Sequence, residues 1–332
     1  MKTRGFARLG ALAVGLGIGA AMAHSPVAAA DTYDFQISFD GMDLFPTTDN
    51  AATATTVAGE FGLAIAYGNG ATAVAEGGTG DYALASGTNA LAEAGSLTAT
   101  SGNNFDAAYD IGNNTGGPYN GAFAGGNSLT GDPDLGTSSH DTAIDIGDNG
   151  GSNSGAYAGN GVATSNGDTA YTFGNTDGRG DGSYATSGDN NYASFSGNAT
   201  GADDYAYAGQ GNGNSAIDNT SANIDDTTVI AYGGNNNDAY VYGPDNSTAY
   251  AFDGNGNIAF VNDPFGSASA PDNATAGEGF NNDLAGVLFT HGNALATGAD
   301  YVYDIISPLG PETGTAAATG STSLLSELLA LF

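Results

Sequence analysis

The chain has no cysteine and no tryptophan, and Lys and Arg together number 4 among 332 residues. Without cysteine there can be no disulfide scaffold, no thiol nucleophile and no Cys-ligated zinc or iron–sulfur centre. Without a basic surface, nucleic-acid binding through phosphate contacts is excluded as well. Glutamate is scarce too. It occurs only as Glu60, Glu76, Glu93, Glu278, Glu312 and Glu327, so the stretch 94–277 contains none. The remaining acids are Asp, a turn residue rather than a helix residue, which argues against a helical middle.

What the chain has in abundance is Gly (55 residues), Asp, Asn, Ala and Tyr, with a formal net charge of −32. Such a charge repels nucleic acid, anionic lipid and acidic polymers, and favours cations or basic proteins as electrostatic partners. It also keeps a Tyr-rich chain from self-association.

Residues 1–30 read as a signal peptide. Lys2, Arg4 and Arg8 make a positive start, Leu9–Ala23 is an apolar run, Ser25-Pro26 breaks it, and Ala28-Ala29-Ala30 offers a small-residue cleavage site before Asp31. Cleavage would leave Arg179 as the one basic side chain besides histidine. The expected location is secreted or cell-envelope associated, with no membrane span left after cleavage.

A short phrase recurs along the middle: small, apolar, small, variable, Gly. Ala64-Ile65-Ala66-Tyr67-Gly68, Ala73-Val74-Ala75-Glu76-Gly77 and Ala83-Leu84-Ala85-Ser86-Gly87 are clear copies. Ala122-Phe123-Ala124-Gly125, Ala156-Tyr157-Ala158-Gly159, Ala206-Tyr207-Ala208-Gly209 and Ala239-Tyr240-Val241-Tyr242-Gly243 are looser ones. Such alternation fits short strands with one packed side, and the intervening Gly, Asn, Asp, Ser and Thr fit tight turns. One unit cannot bury its apolar face alone, whereas stacked units can. The fold class expected is therefore mainly β, a parallel β-solenoid or β-roll of degenerate short repeats over 63–265, with Asn ladders along the turns. The alternation Tyr33–Asp40 predicts a strand in an N-terminal cap, 31–62, and 50–60 could be strand or loop. The stretch 112–155 has the poorest repeats and is a candidate loop-out. Residues 266–332 are expected to form a small, partly helical cap or tail. A helix start is read at 282–289, and 323–332 is read as a short apolar helix, either a lid over the end of the coil or a docking or membrane-surface peptide.

The phrases at 64–68, 73–77 and 83–87, with Ala90-Leu91-Ala92-Glu93-Ala94-Gly95, resemble the head repeats of trimeric autotransporter adhesins. That resemblance implies a parallel β-roll and an adhesin-like role. The chain lacks a heptad stalk and a C-terminal run of anchor strands. As a whole, with its leader and its Gly-, Ala- and Asn-rich body, it resembles secreted glycine-rich repeat proteins of mycobacteria. This implies an exported or envelope-associated protein, of a group mostly without known activity.

Catalytic constellations are thin. His140 stands in Ser138-Ser139-His140-Asp141, and His291 is isolated. No nucleophile elbow, His pair or phosphate loop occurs, so the chain reads as a non-enzyme. Calcium, which takes six to eight oxygens, is the ligand best matched to acid-rich turns. The weak candidates are Asp177 and Asp181 in a Gly-Asp turn, and Asp253, Asn255 and Asn257 at alternate positions. Ile258 and Pro264 stand where an EF-hand needs Gly and Glu. Arg179-Gly180-Asp181 spells an integrin-type tripeptide. The role expected is an interaction or structural surface for an unknown protein or envelope component; a calcium-binding β-roll is the alternative.

Overall fold

The computed structural model describes residues 34–44, 51–95, 103–116, 120–125, 138–159, 165–197, 205–219, 227–243, 247–262, 272–288, 293–297, 303–306 and 315–318. The leader, His291 and the terminal segment 323–332 lie outside them. None of the described residues is helical.

The chain winds as a parallel β-solenoid. Successive strands alternate between two sheets, one of 13 strands and one of 12 among the described residues, so each turn adds one strand to each sheet. The first sheet runs through Leu63–Tyr67, Tyr82–Ser86, Ala107–Ile111, Thr142–Ile146, Thr169–Phe173, Tyr192–Ser196, Ser215–Asn219, Asp238–Tyr242, Ile258–Asn262 and Leu284–Leu288. The second runs through Thr72–Glu76, Leu91–Gly95, Gly121–Ala124, Gly155–Ala158, Gly182–Thr186, Tyr205–Gly209, Thr228–Asn235, Ser247–Asn255 and Asp272–Gly277.

The Ala phrases set the register. Ala83, Ala108, Ala143, Ala170, Ala193, Ala216, Ala239 and Ala259 stand beside one another on consecutive strands of the first sheet. On the second sheet Ala75, Ala94, Ala124, Ala158, Ala185, Ala208, Ala231 and Ala251 do the same. All of these are fully buried. At these row positions the facing strands leave room for a methyl group, and no single strand could hide it. The next strand in each sheet completes the burial and also pairs the backbone.

The first turn is closed by Phe35–Phe39, which runs antiparallel to Leu63–Tyr67. Its polar side chains occupy edge donors of the coil. Gln36 Oε1 accepts the N–H of Ala54 at 2.9 Å, and the hydroxyls of Ser38 and Thr56 bond at 2.8 Å. An uncovered edge would template further strand pairing.

Two expectations change. The residues read as a helix start at 282–289 form the strand Leu284–Leu288, because Asn281-Asn282-Asp283 is one more corner of the coil and Ala285 joins the Ala row beside Ala259. An N-cap and a β-corner demand the same residue types, and only the neighbouring turn distinguishes them. The supposed loop-out at 112–155 also contributes strands in register, Gly121–Ala124, Thr142–Ile146 and Gly155–Ala158. Its surplus length appears as a 35-residue step between the equivalent positions Asp106 and Asp141.

Candidate functional site

One corner of the coil carries a continuous column of buried Asx side chains: Asp81, Asp106, Asp141, Asp168, Asn191, Asn214, Asn237, Asn257 and Asp283. Each lies just before a strand of the first sheet. The Oδ1 of each accepts the backbone N–H of the next. The distances, from Asp81 onward, are 3.1, 3.0, 2.8, 2.8, 3.1, 3.0, 3.0 and 3.1 Å. The preceding residue is left-handed at every turn, as at Gly80, Phe105, His140, Gly167, Asn190, Gly213, Asn236, Gly256 and Asn282. That geometry suits Gly and Asn, and makes Phe105 and His140 exceptions. An exposed ladder precedes it: Asp189 N–H donates to Asn212 Oδ1, Asn212 N–H to Asn235 and Asn235 N–H to Asn255.

The column has two chemical halves. In the Asn half the second side-chain atom is a donor. Asn214 Nδ2 donates to the carbonyls of Gly209 and Gly234, and Asn257 Nδ2 to those of Phe252 and Phe280. In the Asp half that atom is an oxygen. Asp141 and Asp168 meet the change with a hydroxyl, from Ser138 and Ser165. Asp81 Oδ2 and Asp106 Oδ2 have no hydrogen-bond partner among the described residues. Burial pushes Asp106 up to about 9, with Asp141 and Asp81 adding like charge and the backbone of Asp141 and His140 pulling the other way. Burial likewise raises Asp141 to about 8, and Asp81 and Asp168 to about 6 each.

A second acidic pair sits inside the coil. Asp110 and Asp145 are register neighbours on the first sheet, in a row that continues with Thr172, Phe195, Asp218, Val241 and Val261, and all are buried. Asn114 Nδ2 donates to Asp110 Oδ2 at 2.8 Å and Asn149 Nδ2 to Asp145 Oδ2 at 2.5 Å, but the Oδ1 of each aspartate has no hydrogen-bond partner among the described residues. Burial raises both, Asp145 to about 7 and Asp110 well above the usual carboxylate range, where the Asp145 charge adds. Sequence reasoning missed this pair, because Tyr109-Asp110-Ile111 and Ile144-Asp145-Ile146 lack the small–apolar–small phrase by which the repeats are recognised. The signal was there: an Asp at the inward parity of a strand phrase.

The calcium candidates are not brought together. Asp177 is exposed on one turn, and Asp181 is fully buried, its carboxylate accepting the Gly178 N–H at 2.6 Å. Asp253, Asn255 and Asn257 lie on a later turn, beyond the strands Tyr205–Gly209 and Thr228–Asn235. There the amide oxygens serve the ladders: Asn255 Oδ1 accepts from Asn235 and Asn257 Oδ1 from Asp283. Among the described residues no three acidic or His side chains converge as metal ligands. Ser138 donates directly to Asp141, while the His140 ring lies on Phe105 with centroids 5.3 Å apart, so Ser138, His140 and Asp141 form no relay. With Asp181 buried and Arg179 exposed, the tripeptide 179–181 is not presented as a unit.

The outward faces carry side chains in rows. Tyr109, Ile144, Tyr171, Ser194, Ile217, Tyr240 and Phe260 are consecutive on the first sheet, partly exposed, with Phe173 and Tyr242 about half exposed alongside (51% and 52%). On the second sheet Phe123, Tyr157 and Tyr184 stack, with centroids 5.0 and 4.8 Å apart. No protein-family model, curated protein or solved structure matches this chain.

Proposed function

We propose that this protein is an exported, non-enzymatic repeat protein, held at the cell envelope or secreted, whose solenoid is a rigid interaction surface. The observation that carries the reading is the row Tyr109, Ile144, Tyr171, Ser194, Ile217, Tyr240 and Phe260 on one face of the first sheet, with Phe173 and Tyr242 beside it. Tyr and Phe on a pre-ordered sheet offer contact area at little entropic cost, and Tyr adds a polar tip. The net charge of −32 directs this face toward uncharged or basic partners, an envelope component or a protein, and away from nucleic acid and anionic lipid.

The test is co-sedimentation of the purified chain with isolated cell envelopes, beside a Tyr171→Ser/Phe173→Ser variant. Serine fits both places, since Ser194 and Ser196 occupy the next rung of the same rows. The expected result is wild-type binding and a roughly thirtyfold weaker variant, the loss of one hot spot of about 2 kcal/mol, with an unchanged circular dichroism spectrum. Equal binding by the two, or none by the wild type, defeats the reading.

A further inference from the structure

Asp81 and Asn257 stand at the same corner position on different turns, and the glycines packed against them show that their second side-chain atoms occupy the same place. A Cβ built on Gly277 would meet Asn257 Nδ2 at 2.6 Å and the Phe252 carbonyl oxygen. A Cβ built on Gly95 would meet Asp81 Oδ2 at 2.7 Å and the Glu76 carbonyl oxygen. In the first case an N–H faces a carbonyl and donates to it, at 3.4 Å. In the second an oxygen faces a carbonyl, and two acceptors cannot bond. Asp106 Oδ2 is similarly packed, 2.7 Å from a Cβ placed on Gly125, and also lacks a hydrogen-bond partner among the described residues.

We propose that the Asp81–Asp106 end of the column is a proton-occupied ladder. Each carboxyl is held as the acid, its Oδ2–H replacing the Asn Nδ2–H, so that the early turns of the coil are secured in acid and lose this tie as the proton leaves. A proton fits where even a methyl group on the facing glycine would collide with the oxygen, whereas calcium would need six to eight oxygens around it. The charges facing the column reinforce the same sign. Glu60, which accepts the Gly77 N–H, and Glu76 stand by Asp81; Asp141 follows Asp106; Asp168 follows Asp141; and Asp189 and the Tyr207 phenol face Asp168. The His140 ring lies on Phe105, and Ser138 and Ser165 serve the two later acids as donors. The turns from Asn191 to Asn257 place amides at this corner instead. The column's own pH response thus belongs to its acidic end.

The experiment is thermal melting of the full chain at pH 4 to 9 with chelator, comparing wild type, Asp81→Asn/Asp106→Asn and the exposed-acid control Asp43→Asn. The wild-type melting temperature is expected to fall by roughly 5–10 °C or more from pH 4 to pH 9. The double Asn variant should lose at least about half of that fall, and the control should keep it. An unchanged slope in the double variant overturns the proposal. So does a rise in the wild-type melting temperature with millimolar calcium or magnesium at pH 8 that the double variant lacks, since a cation would then hold the site. Infrared spectroscopy gives a second reading, with the double variant as the reference because Asp110, Asp141 and Asp145 are raised as well. A carbonyl stretch of un-ionised carboxylic acid at pH 5 that is stronger in the wild type than in the double variant supports the proton, and equal stretches refute it.

Discussion

Tyr157 and Tyr184 lie face to face on neighbouring strands of the second sheet, centroids 4.8 Å apart and planes 3° from parallel, with Phe123 stacked on the other side of Tyr157. Tyr157 is fully buried, although its parity points it away from the Ala interior. Tyr157→Ala should therefore cost on the order of 3–5 kcal/mol, as a large core truncation does. Tyr157→Phe keeps both stacks and gives up the hydroxyl, which donates to the Ser154 carbonyl at 3.3 Å, so it should cost less, about 1–2 kcal/mol. Urea unfolding followed by near-ultraviolet circular dichroism separates the two.

Glycine is required for different reasons at two corners. Gly213 has φ +67, and a Cβ there would meet only the amide oxygen of Asn236, at 2.9 Å. Asn occupies the neighbouring positions 190 and 236, so Gly213→Asn should be tolerated within about 1 kcal/mol. A Cβ on Gly174 would overlap the backbone carbonyl oxygen of Gly197, which cannot swing away. Gly174→Ala should cost at least about 3 kcal/mol, since the backbone of two turns must part. Melting temperatures of the two variants measure the contrast.

The interior admits methyl groups and few larger side chains. Ala239 lies between Ala216 and Ala259 on adjacent strands, all fully buried. Ala239→Leu should destabilise by about 3 kcal/mol or more, the upper end of overpacking, because a coil two strands thick cannot shift one sheet without shifting its neighbours. Chemical denaturation of the variant provides the check.

The core pair gives a pH-dependent prediction separate from the corner. Burial holds Asp145 at about 7, above its ordinary 3.8. A raised carboxyl favours the folded state while protonated, so its contribution is complete below about pH 4 and is lost as pH rises through about 7. Asp145→Asn keeps an acceptor for Asn149 without a charge. It should raise stability at pH 8.5 by roughly 1–3 kcal/mol, the range for a poorly paired buried polar group, and change it little at pH 4.5. Urea midpoints at the two pH values show whether the sign holds.

Much of the fold was legible residue by residue. Ala64, Ala83 and Ala239 announced inward positions, and the Gly, Asn and Asp between the phrases announced corners, because strand parity and left-handed turns are local properties. Leu284–Leu288 was not legible, since Asn282-Asp283 before an apolar run fits a helix cap as well as a β-corner. The acidic column was legible only in outline. Asn ladders follow from aligned turns, but that Asp81 and Asp106 should lose water while Asp177 keeps it depends on which side of the corner each residue takes.

Composition and spacing alone determined that this chain forms short strands and tight turns, that it forms no cysteine chemistry, and that its units must stack, because those consequences follow from the backbone preferences of Ala, Gly, Asn and Asp. Tertiary structure decided which acids are buried. Solvation is lost only when the next turn of the coil closes over a side chain, and residues twenty or more positions away in the chain bring that turn into place.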